Sequence, residues 1–280
     1  MDATIKKQLE ITAVRVRMGI IEGTFNAKSG HPGGSLSISD LLTYLYSVKM
    51  NVNPADPDMA QRDRLVLSKG HCAPGLYSRL AEKGFFPKEE LKSLRHIGAR
   101  LQGHPCITIP GVDMSSGSLG QGISVANGIA LAGKTDNADY KVYAILGDGE
   151  LEEGQVWEAA MFAAHYKLDN LVAIVDNNGL QIDGKISEVC SPEPITDNFA
   201  AFGWHVITMD AHDFDDIERA FDEAEKISGK PVAIIQKSRK GKGVSFMEDK
   251  CSWHGTASNK EQYDQAMQEL NARINELESK

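Results

Sequence analysis

The sequence predicts an α/β fold, a doubly wound, mostly parallel sheet with helices on both faces. Three observations point there. Short apolar runs have the length and β-branched content of buried parallel strands, and helix-sized segments separate them. The unusual polar residues, flanked by glycine, follow the carboxyl ends of those runs, which is where parallel sheets bind ligands.

Taken in order, Ile5, Leu9, Val16 and Ile20 recur at offsets of four, seven and four, one face of a helix that ends near "NAKSGHPGG". A second helix is expected over 39–48. "RLVL" at 64–67 supplies the first strand, and 120–131 is a helix of small and apolar residues on every side, expected to be buried in the core or at a subunit contact. "VYAIL" at 142–146 and "LVAIV" at 171–175 are strands around a helix marked by Trp157, Ala160, Met161 and Ala164. "HVITM" at 205–209 and "VAIIQ" at 232–236 are strands around a helix marked by Phe214, Ile217, Phe221 and Ala224. The spacing of Ser258 and Glu261 is a capping-box pattern that opens a last helix. With no Pro/Gly/Ser linker, one domain is expected over 1–257, with the helix of 258–280 packed on it or extending from it.

Composition limits the function. The 280 residues are 41% hydrophobic, enough for a sizeable core. Acidic residues number 39 against 30 Lys and Arg, a net charge of -9 that disfavours nonspecific attraction to nucleic acid or an anionic membrane. Cys72, Cys106, Cys190 and Cys251 form no CxxC pair and the start lacks a signal-peptide apolar region, so a reducing cytoplasm is expected. "ISVANGIALAG" falls short of the roughly 20 apolar residues that span a bilayer.

The chemistry concentrates in "YKVYAILGDGELEEGQVWEAAMF". Glu150 and Glu152 read as solvated carboxylates at a helix start, where the dipole favours each by about 0.3–1 kcal/mol. Asp148 differs, because its flanking glycines let backbone approach a ligand at a strand end. Thirty positions later comes Asn178, within "DNNGLQIDG" after the next strand. A carboxylate, an amide oxygen and a backbone carbonyl form a hard-oxygen half-shell, which Mg2+ completes with phosphate oxygens and water. "GKGVSF" is not a P-loop, no GxGxxG follows an early strand, and neither HExxH nor CxxC supports zinc. His96, His165, His205 and His212 read as surface or satisfied core residues, whereas His31, His71, His104 and His254 each adjoin a glycine in a loop. "KSRKGKG" at 237–243 puts four positive charges in one loop, either a cover for a diphosphate or a solvated surface.

GDG followed after about thirty residues by NN is the fingerprint of thiamine diphosphate (ThDP) enzymes, and the chain resembles the amino-terminal, diphosphate-binding half of transketolase. The resemblance runs over nearly the whole chain, through "SGHPGG" at 29–34, "LSKGH" at 67–71, "QGHP" at 102–105, "SSGSLGQG" at 115–122 and "WHG" at 253–255. It implies ThDP and Mg2+ as cofactors, with Ca2+ or Mn2+ able to substitute. Asp148, Asn178 and the Leu180 carbonyl would hold the metal, with Gly149 and Asn178 also facing the diphosphate. Gly117, Ser118 and Leu119 would support the aminopyrimidine and thiazolium, Ile182 would add apolar wall, and Glu153 would join a proton-linking network near a subunit contact. His31, His104 and His254 would meet substrate hydroxyls, with His71 nearer the diphosphate.

Transketolases usually carry a pyrimidine-binding half and a third domain in the same chain. The expectation is therefore a split enzyme: a separate C-terminal subunit supplies the pyrimidine-binding half, in a heterotetramer acting on sugar phosphates. It would move a two-carbon ketol unit from a ketose phosphate to an aldose phosphate. The rivals are a deoxyxylulose-phosphate synthase, a 2-oxoacid dehydrogenase α subunit, a split transketolase for a branched or sulfonated sugar, and a noncatalytic subunit that keeps the fold.

Overall fold

The computed structural model describes residues 1–279. In chain order the helices and strands are α1 (Ala3–Ala27), α2 (Pro32–Ser37), α3 (Ser39–Tyr44), β1 (Arg64–Leu67), α4 (Ala73–Lys83), α5 (Gln121–Thr135), β2 (Val142–Gly147), α6 (Gly154–His165) and β3 (Leu171–Asn177). A small hairpin, β4 (Leu180–Gln181) and β5 (Gly184–Lys185), leads into α7 (Ile186–Val189) and α8 (Ile195–Ala201). Then come β6 (His205–Asp210), α9 (Phe214–Glu225), β7 (Val232–Lys237) and α10 (Lys260–Ser279).

All five expected strands form one sheet in the order β1-β2-β3-β7-β6, with every pairing parallel. Alternate residues serve opposite faces because successive strand side chains point to opposite sides. Leu65, Leu67, Tyr143, Ile145, Val172 and Ile174 pack against α1, α3, α4 and α9. Val66, Val142, Ala144, Leu146, Ala173 and Val175 pack against α5, α6 and α8. The sheet is therefore covered on both faces. A third apolar layer joins α1 to α10 through Ile11, Val14, Ala266, Leu270 and Leu277.

Local chemistry sets the ends of the helices. Asp2 caps α1 by accepting from Thr4 N at 2.9 Å, and Asp213 caps α9 by accepting from Asp215 N at 3.1 Å. The last helix is capped one residue later than expected: Asn259 Oδ1 accepts from Gln262 N and Gln262 Oε1 accepts from Asn259 N, both at 2.9 Å. Both pairs share the same spacing, and the amide pair can satisfy both backbone donors.

Three further expectations change. The helix foreseen over 39–48 is α3 followed by a π-helical turn, Leu45–Lys49, and α2 precedes it, starting at a proline that loses no backbone bond in a first turn. Ile5 and Met161 keep the helical spacing but are 49% and 54% exposed, only partly covered by their neighbours. The helix α5, expected to be buried, buries one side only: Ile123, Ala126 and Ala130 face the core, while Val125 is 39% exposed. Among the described residues no helix is long and apolar enough to cross a membrane.

Candidate active site

The register of the sheet brings its strand ends level, with Gly147 opposite Asp176 and Asn177 opposite Lys237. Beyond these ends opens a cavity of about 350 Å³. Its floor comes from the loops that follow β1, β2, β3 and β7, which contribute Lys69 and His71, Asp148 and Gly149, Asn178, and Lys240. Its walls come from His31, His104, Gly117, Leu119, Ile182 and His254.

The two loop tips singled out in the sequence meet. Asp148 Oδ2 accepts from Gly179 N at 2.6 Å and Oδ1 from Gly149 N at 3.0 Å, so the β2 loop is tied to the residue after Asn178. Burial, reinforced by the negative charge of Asp176, pushes the Asp148 carboxyl up to about 6. The Asn178 amide is oriented by its donor end: Nδ2 reaches Asp176 Oδ2 at 3.1 Å, while Oδ1 accepts from Leu180 N at 3.2 Å. Among the described residues no group of three or more His, Cys, Asp or Glu side chains is arranged to hold an ion. Any cation here would take the mixed carboxylate, amide and carbonyl donors that Asp148, Asn178 and Leu180 offer, a hard-oxygen set of the kind Mg2+ accepts.

Asp176 is the hub beneath this site. Its buried carboxylate accepts from Lys69 Nζ at 2.5 Å, Ser37 Oγ at 2.7 Å, Gln236 Nε2 at 2.8 Å and Ser238 Oγ at 2.5 Å, besides Asn178. Burial opposes the charge, but Lys69 and the hydroxyl donors outweigh it and hold Asp176 well below the usual carboxylate range. Lys240 is the opposite case. It is buried, lines the cavity, and its Nζ meets the Leu180 carbonyl at 3.2 Å and His254 Nδ1 at 3.0 Å. Among the described residues no carboxylate bonds to it, and burial lowers its pKa. Of the two readings of the 237–243 loop, the cover over the cavity is the one that fits Lys240. Gly33 allows this loop to pack close, because a Cβ there would lie 3.1 Å from Lys240 Cγ and 2.7 Å from the carbonyl of Trp253 in the following segment.

All four glycine-flanked histidines line the cavity. The rings of His31, His71 and His254 sit with centroids 5.2–5.3 Å apart. Burial lowers all three, aided by His71 for His31, by Lys69 for His71 and by Lys240 for His254; they fall to about 4, 4 and 3 respectively. Burial and Arg95 lower His104 as well. All four are neutral near pH 7 and can donate or accept. His212, set aside in the sequence, is indeed satisfied, bonded to Asp40 at 2.7 Å and to the Arg239 N–H at 3.0 Å.

Two sequence candidates lie elsewhere. Ser118 and Glu153 are exposed and do not line the cavity. The solvated reading of Glu150 is corrected: it is 2% exposed, accepts from Ser68 Oγ, and takes the N–H groups of Gly120 at 2.8 Å and Gly147 at 2.9 Å. A helix-start carboxylate and a buried loop anchor look alike in sequence, because two of the donors that bury Glu150, Ser68 and Gly120, come from distant segments. Glu152 is half-buried and accepts from Gln181 Nε2 at 2.9 Å. Sequence reasoning misses Lys69, Asp176 and Gln181; "LSKGH" and "DNN" contain the first two, but nothing local marks them as partners.

Residues 7–276 match the family described as transketolase, thiamine diphosphate binding domain. The chain belongs to that family. It is 46% identical over 270 residues to one subunit of the apulose-4-phosphate transketolase of Phocaeicola vulgatus, covering 96% of both chains. It is 47% identical over 242 residues to the 6-deoxy-6-sulfo-D-fructose transketolase subunit SqwG of a Clostridium species, covering 86% of this chain and 88% of that one. The crystal structure of Campylobacter jejuni transketolase superposes with a TM-score of 0.89 at 32% identity, covering 99% of this chain but only 46% of that longer chain. The chain thus covers 96% and 88% of two relatives named as subunits and less than half of the Campylobacter jejuni transketolase chain.

Proposed function

We propose that this chain is the diphosphate-binding subunit of a two-polypeptide transketolase that requires ThDP and Mg2+ and moves a two-carbon ketol unit from a ketose phosphate to an aldose phosphate. The observation that carries the proposal is the hydrogen bond from Gly179 N to Asp148, which fuses two loop tips into one hard-oxygen site below a histidine-lined cavity. Asp148, Asn178 and the Leu180 carbonyl hold the metal, and Lys240 and His71 face the diphosphate. Bound ThDP supplies the electron sink that allows the donor's C2–C3 bond to break.

The chain's own side chains do the rest. Gly117 and Leu119 support the cofactor, and Leu119 and Ile182, 37% and 57% exposed in the chain alone, form an apolar wall that excludes water once the cofactor and the partner cover them. His31, His104 and His254, neutral at working pH, orient hydroxyls and pass protons to and from them. Ser118 and Glu153 are exposed and so accessible to a second polypeptide, consistent with Glu153 linking proton networks across a subunit contact. The partner provides the pyrimidine-binding half, in a heterotetramer of the cytoplasm.

The substrate itself has a second reading within this reaction class. Relatives at 46% and 47% identity act, by name, on apulose 4-phosphate and on a sulfonated fructose, which favours an uncommon sugar as donor. Native purification followed by ketol-transfer assays with and without the copurifying chain, over a panel that includes branched and sulfonated ketoses, tests both. Transfer by the isolated chain would overturn the two-polypeptide assignment.

A further inference from the structure

Arg95 sits where two histidine loops approach each other. Its backbone lies in the left-handed region, φ 62°, which costs a non-glycine residue energy and persists where the surroundings demand it. The demand here is the closing of a loop, since Arg95 N donates to the Leu101 carbonyl at 2.8 Å across residues 96–100. From that base the half-buried guanidinium reaches in two directions. Arg95 Nη1 donates to Ser29 Oγ, two residues before His31. The other side of the guanidinium presses on Gly103, the residue before His104: a Cβ there would lie 2.7 Å from Nη2 and 2.8 Å from Nε. From below, the Tyr77 hydroxyl donates to the His104 carbonyl at 2.7 Å, so this loop is held from both sides. Among the described residues no carboxylate pairs with Arg95, and its contacts are the two loops.

We infer that Arg95 is a positioning residue whose planar fork bridges the loops of His31 and His104 and so sets the span between the two imidazoles across which substrate hydroxyls must fit. The inference rests on the proposed function for the roles of those histidines. A lysine cannot replace it, because a point-like ammonium on a flexible stem cannot both press on Gly103 and reach Ser29. Gly103 belongs to the same device, since only a residue without a side chain leaves room for the guanidinium.

The test uses the complex of this chain with its copurifying partner, loaded with ThDP and Mg2+. Arg95→Gln, Arg95→Lys, Gly103→Ala and the double variant Arg95→Gln/Gly103→Ala are compared with wild type for donor kcat/KM and for ThDP affinity. Each single variant is expected to lose about 10- to 100-fold in kcat/KM, the scale of a misplaced orienting group, with ThDP affinity unchanged. The double variant should be no worse than the worse single one, because both changes break one contact. Wild-type kcat/KM in Arg95→Gln, a full rescue by lysine, losses that add, or a parallel loss of ThDP affinity would each overturn the inference while leaving the proposed function standing. Absence of ThDP-dependent transfer in the wild-type complex overturns the proposed function and this inference with it.

Discussion

Lys69 and Asp176 form an ion pair at 2.5 Å with both side chains sealed from solvent, directly under the cavity floor. Lys69 arrives from the loop after β1 and Asp176 from the end of β3, so the pair ties together segments that are two strands apart in the sheet. Breaking one side of a buried pair leaves the other charge uncompensated. Lys69→Met is therefore expected to cost about 3–5 kcal/mol in urea unfolding, with Lys69→Met/Asp176→Asn recovering part of the loss. A cost below about 1 kcal/mol for Lys69→Met would mean that solvent screens the pair as at a surface.

Lys240 should behave in the opposite way. Among the described residues its buried amine has only a carbonyl and an imidazole as partners. Lys240→Met is expected to leave the cofactor-free chain as stable as wild type or more so, while weakening ThDP binding in the assembled enzyme by at least about tenfold, or ~1.4 kcal/mol. Loss of stability with unchanged ThDP affinity would show that the ammonium serves the fold and not the anion.

Asp148→Ala removes the one carboxylate that the proposed metal set contains. Titration of the assembled enzyme with ThDP in Mg2+ should show affinity reduced beyond the 10- to 100-fold typical of a residue that merely orients a ligand. Affinity that survives, or that no longer depends on Mg2+ in either wild type or variant, would remove Asp148 from the metal site.

The histidine cluster predicts an acid-sensitive apo fold. His31, His71 and His254 titrate at about 4, 4 and 3 in the folded chain against about 6.5 when unfolded. Between those limits the unfolded chain binds more protons, so these groups make stability rise with pH. Their penalty is absent above pH 6.5 and grows as pH falls. Asp148 acts with the opposite sign, since its folded value of about 6 lies above the unfolded one, and it favours the fold as pH falls through that value. Urea midpoints measured from pH 7.5 to 4.5 in an Asp148→Asn background remove the Asp148 contribution, and comparing variants within that background cancels those of the other buried carboxyls, Glu150 and Asp113, which burial also raises. Replacing His254 with Gln should flatten the slope, and an unchanged slope would show that His254 takes up its proton equally in both states.

Much of the fold was legible because buried parallel strands advertise themselves. "VYAIL", "LVAIV" and "VAIIQ" are apolar in nearly every position, since both faces are covered, and such runs admit few other environments. Helix faces were less legible. Ile5 and Met161 carry the right periodicity but remain about half exposed, because periodicity names a face and says nothing about a neighbour. At the site, Asp148, Asn178 and four histidines stood out through glycine neighbours and strand-end placement. Glu150 did not, because its three donors come from residues 68, 120 and 147 and exist only once the chain has folded.

Local hydrophobic pattern and backbone freedom were enough to specify the sheet, the order of its strands along the chain and the loops that carry the chemistry. Charge states and alliances came into view only in three dimensions: Asp176 takes five donors, Lys69 is paired while Lys240 is not, and Arg95 spans two loops. Hydrogen bonding and desolvation depend on distances between residues far apart in the chain, and those distances arise only when the loops after β1, β2, β3 and β7 are brought together at one end of the sheet.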